Sequence, residues 1–381
     1  MNILIAPNAF KGSLTAAEAA RAMALGVRRA APRAALDLMP ISDGGDGLME
    51  VLLQRKGGRR VFRRVIGPLG RPRRACYALL SDRKTAVIEM AQASGIAGLA
   101  SRRLDPLGAT SYGTGELIRD ALEHGVRRVV VGMGGSATSD GGGGMAAALG
   151  VRFLDKNGRK LPPGAGPLGR LGRVDLSGLD PRVKAADILA VSDVTNPLLG
   201  PFGSARVYGP QKGATPAMVR VIERSLARYA LIIKRDVGRD VSKNPGAGAA
   251  GGLGTGLCAF LGARIVAGAP WVLDHLGADA RIGAADIVLT GEGRLDRQSF
   301  FGKGAIVLAH RARRRRVPVF LLCGQILPEA LKTLKTIPGV LCESLMREGE
   351  NAGAAMRQTR RRLRVSTERL LLKGLGRGGD P

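Results

Sequence analysis

Thirteen residues, GMGGSATSDGGGG from Gly132 to Gly144, contain seven glycines, with Ser, Thr and a single Asp, Asp140, filling most of the gaps. Holding a glycine in fixed structure costs about 0.5–1 kcal/mol relative to alanine, so an ordered run of this kind gives up several such increments. Either the run is an unordered linker, or its backbone must come very close to a ligand. The flanks decide between the two. GELIRDALEHG reads as helix, VRRVVVGM as a short β-branched strand, and GMAAALGVRFL as helix followed by strand. The glycines therefore occupy a strand-to-helix turn, where an open α/β sheet places its ligands and where N–H groups at a helix start face an anion.

The rest of the chain extends this pattern. NILIAP is a strand, Thr15 and Glu18 form a capping box ahead of EAARAMALGVRRA, LDLMPI is a second strand and GLMEVLLQRKG a second helix. Between Arg60 and Met90 the runs alternate and are punctuated by turns, as in an antiparallel meander. Strand-helix units resume with ADIVLTGEG, FGKGAIVLAHRARR, VPVFLLCG and GVLCESL, and the chain closes on one long helix, NAGAAMRQTRRRLRVSTERLLL. The expected fold class is α/β: a doubly wound parallel-sheet domain formed by both chain ends, residues 1–60 and 285–381, with a second α/β domain, 61–284, inserted between them. The cleft between two such domains is the default place for chemistry.

Four further loops carry polar residues at strand ends. PNAFKGSLT brings Lys11 and Ser13, SDGGDG brings Asp43 and Asp46, the loop 191–213 brings Asp193, Arg206 and Lys212, and the loop 289–304 brings Glu292, Asp296, Ser299 and Lys303. Any one of them reads equally well as a capped turn. Together they exceed what caps require and match the needs of phosphoryl transfer: N–H groups and lysines around phosphates, carboxylates for Mg²⁺, and one carboxylate to take the acceptor hydroxyl's proton. Two motifs fail on context. The GxGxxG at Gly246, Gly248 and Gly251 follows Lys243-Asn244-Pro245 instead of a strand, and no GxxxxGK[ST] occurs. The three histidines, at 124, 275 and 310, lie outside the glycine loops.

The formal net charge of +28 raises nucleic acid as a partner, but its distribution argues against one. The densest clusters, 310–318 and 357–365, fall on helix-like segments, read here as solvated faces that include Arg360, Arg361 and Arg362, and aromatics for base stacking make up only 3% of the chain. Cys76, Cys258, Cys323 and Cys342 show no CxxC spacing, so reduced thiols in a cytoplasm are expected. No apolar run is long enough to span a membrane. A monomer or homodimer is expected.

Eight segments, IAPNAFKGSLTAAEAA, PISDGGDG, IEMAQASGI, SYGTGELI, GMGGSATSDGGGGM, SDVTNPLLGPFGSARVYGPQKGA, PGAGAAGGLG and TGEGRLDRQSFFGKG, occur in the same order as in the bacterial two-domain glycerate kinases, which this chain therefore resembles. The resemblance implies a flavodoxin-like first domain, ATP and Mg²⁺ as cofactors, and phosphorylation of D-glycerate to 2-phosphoglycerate, although the residues themselves do not separate the 2-hydroxyl from the 3-hydroxyl. It departs at Asn8 and Ala9, where many members carry Asp and Ser, at Gly304 after Lys303, and along the tail past Cys323. Chemistry then assigns the roles. ATP phosphates are expected on Gly134, Gly135, Ser136 and Thr138, and on Gly248 and Gly251; Mg²⁺ on Asp140 or Asp193; glycerate near Lys11, Asp43 and Asp46, with Lys11 among the catalytic residues and Ser13, Arg206, Lys212, Glu292, Asp296 and Lys303 as substrate contacts. The general base is expected among Asp43, Asp46 and Asp193. Two readings remain beside this one, a kinase of another small hydroxy acid and a basic nucleic-acid-associated α/β protein.

Overall fold

The computed structural model describes residues 1–334, 336–347 and 349–376, apart from the Phe301 side chain. Its strands are, in chain order, β1 (Asn2–Ile5), β2 (Ala35–Leu38), β3 (Gly58–Ile66), β4 (Pro72–Leu80), β5 (Thr85–Glu89), β6 (Arg128–Gly132) and β7 (Arg152–Asp155). There follow β8 (Leu171–Asp175), β9 (Asp187–Ser192), β10 (Arg264–Ala267), β11 (Ile287–Leu295), β12 (Val319–Ile326) and β13 (Val340–Ser344). Two compact units emerge, Met1–Asp43 with Gly268–Pro381, and Gly44–Ala267.

The unit made from both chain ends holds a five-stranded, wholly parallel sheet in the order β13-β12-β11-β1-β2. Counted within the unit this is 2-1-3-4-5, the flavodoxin-like order, whose direction of winding reverses between its first and third strands. Here those strands are β1 and β11. Their apolar runs, with Ile3, Leu4, Ile5, Val288 and Leu289 all buried, suit strands covered on both faces. The helix Ala16–Ala30 starts at the expected capping box, with Glu18 N–H donating to Thr15 Oγ1 (3.2 Å) and Thr15 N–H donating to Glu18 Oε2 (2.9 Å). It packs against the helix Thr359–Gly376, and the approach needs Gly26, since a Cβ there would lie 2.4 Å from the Arg364 carbonyl oxygen.

The expected single C-terminal helix is two, Ala352–Arg357 and Thr359–Gly376, separated at Gln358. Nor are its arginines all solvated. Arg360 and Arg361 are exposed, but Arg362 grips both carboxylate oxygens of Glu350 (2.5 and 2.6 Å) and the Leu345 carbonyl (2.9 Å). Arg311, in the other basic cluster, donates to Asp274 at 2.6 Å.

The second unit is built on a six-stranded sheet, β10-β9-β6-β5-β4-β3, in which β10, β9, β6 and β5 run parallel and β4 and β3 antiparallel, as the turn-punctuated runs after Arg60 led us to expect. A separate hairpin pairs β7 with β8. The divisions between units fall at 43/44 and 267/268, whereas the sequence reading placed them at 60/61 and 284/285. Packing explains the difference. The helix Leu48–Lys56 buries Leu48, Met49, Val51 and Leu52 and contacts β4 and β5, while helices Gly268–His275 and Ala278–Gly283 contact the helix Gly304–Arg314. Among the described residues no helix is long and apolar enough to cross a membrane.

Candidate active site

The glycine loop leaves β6 and enters the short helix Gly143–Ala148. Its first part is accessible: Gly134 is partly exposed and Gly135 exposed, and Gly134 runs against Gly45, where a Cβ would sit 3.0 Å from the Gly45 Cα. Above Gly135 lies the carboxylate of Asp46, 3.2 Å from where a Cβ would be. From Ser136 onward the loop is buried.

In that buried part the structure gives Asp140 a different place from the one expected of a metal ligand. Asp140 is 1% exposed, and its Oδ2 accepts from Ser111 N–H (2.7 Å), Ser111 Oγ (2.9 Å) and Gly144 N–H (3.1 Å), while Oδ1 accepts from Gly142 N–H (3.2 Å). Ser111 Oγ in turn accepts from Met145 N–H (2.9 Å), and the Asp140 carbonyl takes Gly143 N–H (2.9 Å). The donors at the start of this helix, expected to face a phosphate, are thus satisfied from inside the chain. Burial pushes the Asp140 carboxyl up against these bonds.

Lys212 and the second glycine stretch finish the same piece of interior. Lys212, expected at the substrate, is 1% exposed and donates through Nζ to the Thr138 carbonyl (2.6 Å). Burial pulls its amine down to about 7, opposed by the charge of Asp140. Gly251 passes so close that a Cβ would meet Thr138 O at 1.8 Å, and a Cβ on Gly248 would meet Pro197 O at 2.2 Å. Ala250, Gly251 and Gly252 all adopt positive φ (51°, 76° and 85°), which puts a left-handed turn at the start of the helix Ala249–Leu261. Gly248 and Gly251 are therefore explained by close backbone packing. Two hydroxyls in this unit, Thr138 Oγ1 and Ser204 Oγ, are buried without a hydrogen-bond partner.

Asp193 lies just past β9 and is exposed, as is Arg206 on the helix Ser204–Tyr208. Beside Asp193, Tyr208 donates to Asn196 Oδ1 (2.7 Å), and burial together with the Asp193 charge pushes the phenol up to about 12.

The unit formed by the chain ends gathers the other expected residues at the carboxyl ends of β1 and β11. Asp43 Oδ1 accepts from Gly304 N–H (2.7 Å), the first residue of the helix Gly304–Arg314, and the Asn8 side chain also bonds its carboxylate. Burial pushes the Asp43 carboxyl up, opposed by these bonds and by Lys303 and Lys11. Glu292, on β11, is 5% exposed; its Oε2 stands 3.9 Å from Lys303 Nζ, and its Oε1 is buried with no hydrogen-bond partner. Burial, then the negative charge of Asp43, pushes Glu292 up to about 8, with Lys303 pulling the other way. Asp296 caps the turn Arg297–Phe301 through Ser299 N–H (3.1 Å) and lies 3.9 Å from Lys303. Lys11 is exposed, and Ser13 Oγ donates to the Met356 carbonyl (2.9 Å).

Three residues that matter to these arrangements were given no role from the sequence. Ser111 organises Asp140 from 29 positions away, and Asn8 acts as a partner of Asp43. Glu89, buried at the end of β5, accepts from Met49 N–H (2.9 Å). Nothing in their local spacing marks them, because each partner lies on another element.

The model of the Glycerate kinase family matches residues 3–373, well into the tail past Cys323. A glycerate kinase of Halalkalibacterium halodurans is 47% identical over 85% of each chain, and the glycerate 2-kinase of Escherichia coli K12 is 44% identical over 86% of each. A crystal structure from Salmonella typhimurium LT2, assigned as glycerate kinase 2, superposes with a TM-score of 0.81 at 39% identity, covering 99% of both chains. With a family model spanning nearly the whole sequence and relatives of this similarity, the chain belongs to the glycerate kinase family.

Proposed function

We propose that the protein transfers the γ-phosphoryl group of ATP to the 2-hydroxyl of D-glycerate, with Mg²⁺ accompanying the nucleotide and 2-phosphoglycerate as product. The observation that carries this reading is the group of Asp43, Glu292, Asp296 and Lys303 at the carboxyl ends of the two strands where the winding reverses, the position at which doubly wound sheets bind ligands. In glycerate a carboxylate and a hydroxyl stand on neighbouring carbons. Lys303 and Lys11 supply cations for the first, and the carboxylates supply acceptors for the second.

For the nucleotide, we assign the accessible residues Gly134 and Gly135 to the phosphates. Among the described residues no three His, Cys, Asp or Glu side chains converge as an ion cage. Mg²⁺ in kinases is commonly held by one or two carboxylates plus phosphate oxygens, and the exposed Asp193 is the residue that fits this. The ion would neutralise charge building on the phosphates, and Arg206 would pair with phosphoryl oxygens. Among the described residues no cysteine is in a disulfide, in keeping with action in the cytoplasm.

The test is a coupled ADP-release assay over D-glycerate, tartronate, glycolate and lactate, with phosphorus NMR of the product. Turnover of D-glycerate to the 2-phosphate is expected. Turnover of another acid alone would move the enzyme to that substrate, and formation of the 3-phosphate would overturn the regiochemistry.

A further inference from the structure

We propose that Glu292 accepts the proton of the acceptor hydroxyl, through its Oε1. The inference rests on the glycerate-phosphorylation reading and names the group that performs its proton transfer. Among the carboxylates gathered at the carboxyl ends of β1 and β11, the others are already engaged. Asp43 takes Gly304 N–H and the Asn8 side chain, and Asp296 takes Ser299 N–H. Glu292 also takes the Ser299 hydroxyl, yet its Oε1 is buried and has no hydrogen-bond partner. A buried acceptor without a donor is a cost that structure alone does not explain and that a bound hydroxyl would remove.

The groups facing Glu292 fit the task. Lys303 stands 3.9 Å from its other oxygen, Asp43 and Asp296 add negative charge, and from β12 the buried Cys323 contributes no formal charge while its thiol is protonated. Lys303 beside Oε2 and an open Oε1 together match neighbouring carboxylate and hydroxyl groups: the amine takes the substrate carboxylate while the glutamate takes the hydroxyl. Burial also holds Glu292 nearer to neutral pH than an ordinary glutamate, where a general base works best. In the step itself, the acceptor oxygen bonds to the γ-phosphorus of ATP and the bond from that phosphorus to the β,γ-bridging oxygen breaks. The electron pair of that bond leaves with ADP, and the hydroxyl proton goes to Oε1.

The experiment measures pH-rate profiles of full-length wild type, Glu292→Gln and Glu292→Asp with MgATP and D-glycerate, and of the reverse reaction from 2-phosphoglycerate and ADP. For wild type, kcat/KM for glycerate should fall on the acid side with an ionisation above the usual glutamate range, and the reverse reaction should need the protonated form and fall on the alkaline side. Glu292→Gln should lower kcat by about 100-fold or more, leave both KM values within about threefold and abolish the acid limb, whereas Glu292→Asp should keep the limb at reduced kcat. A Glu292→Gln enzyme within about threefold of wild type, or one that keeps the limb, overturns the inference while leaving the kinase reading intact. Should Glu292→Gln fail to fold, a wild-type profile without an elevated acid limb overturns it equally. A wild type that turns over no glycerate overturns the functional reading, and this inference with it.

Discussion

Asp140 and Glu292 are two buried carboxylates with opposite surroundings. Asp140 accepts four hydrogen bonds from its own chain, including two helix-start N–H groups, whereas Glu292 keeps one oxygen without any donor. A buried charge whose bonds are all made inside the chain acts as structural scaffolding, and a buried acceptor left open marks a place for something the chain does not supply. The difference separates two regions that look alike in sequence, both being glycine-rich loops with an acid at a strand end.

The most severe test of the contrast is Asp140→Asn. The substitution keeps size but places an NH₂ group among N–H donors, so it should cost about 3 kcal/mol or more in urea unfolding. Stability close to wild type would mean that Asp140 was never committed to the loop. Asp193→Asn should behave in the opposite manner. Its side chain is exposed, so melting temperature should stay near wild type while kcat falls about 100-fold, as expected if this carboxylate serves Mg²⁺ or the reacting phosphate. Retained activity would remove Asp193 from the site.

Glu292→Gln sharpens the comparison through pH. Burial pushes Glu292 up to about 8 in the folded chain, against an ordinary value of 4.5. As pH rises past the ordinary value, the unfolded chain gives up a proton that the folded chain still holds, so wild type loses stability progressively up to about 8 and no further beyond it. Glutamine does not titrate. The melting temperature of the variant should therefore match wild type near pH 4.5 and exceed it most at pH 9, measured without ligands. Equal melting temperatures throughout would show that Glu292 is not the strained acid described.

The smallest effects belong to the C-terminal arginines. Replacing Arg360 and Arg361 by Gln should change neither activity nor stability, while Arg362→Gln should lower the melting temperature and leave kcat/KM within about threefold. A larger loss of activity would bring the tail into the site.

The parallel strands, the capping box at Thr15 and the assembly of one unit from both chain ends were legible because apolar runs and cap residues act over a few positions. The polar rim at Asp43, Glu292, Asp296 and Lys303 was legible for the same reason, as side chains on or beyond the carboxyl ends of strands. What could not be read was which of them are occupied. Lys212 looked like a substrate cation until Thr138, 74 residues away, took its amine, and Gly251 looked like a phosphate contact until the same carbonyl occupied the space of its missing Cβ. Such pairings are set by which backbone passes which side chain, and local pattern carries no record of that. The unit boundaries moved for a related reason: helix Leu48–Lys56 has an apolar face that suits either sheet, and only packing decides that it covers β4 and β5.

The strand order of the chain-end unit sets a timetable for biosynthesis. β1 and β2 are made first, yet β1 pairs on its other side with β11, whose first residue is Ile287. At about 5–20 residues per second, the opening strands wait roughly 15–60 s for that partner while the whole of Gly44–Ala267 is produced. During this interval β1 exposes an unpaired apolar edge, the kind that recruits other chains. Substitutions that raise the solubility of Asn2–Ile5 without touching the finished sheet should therefore act on yield from the ribosome rather than on the melting temperature of the completed enzyme.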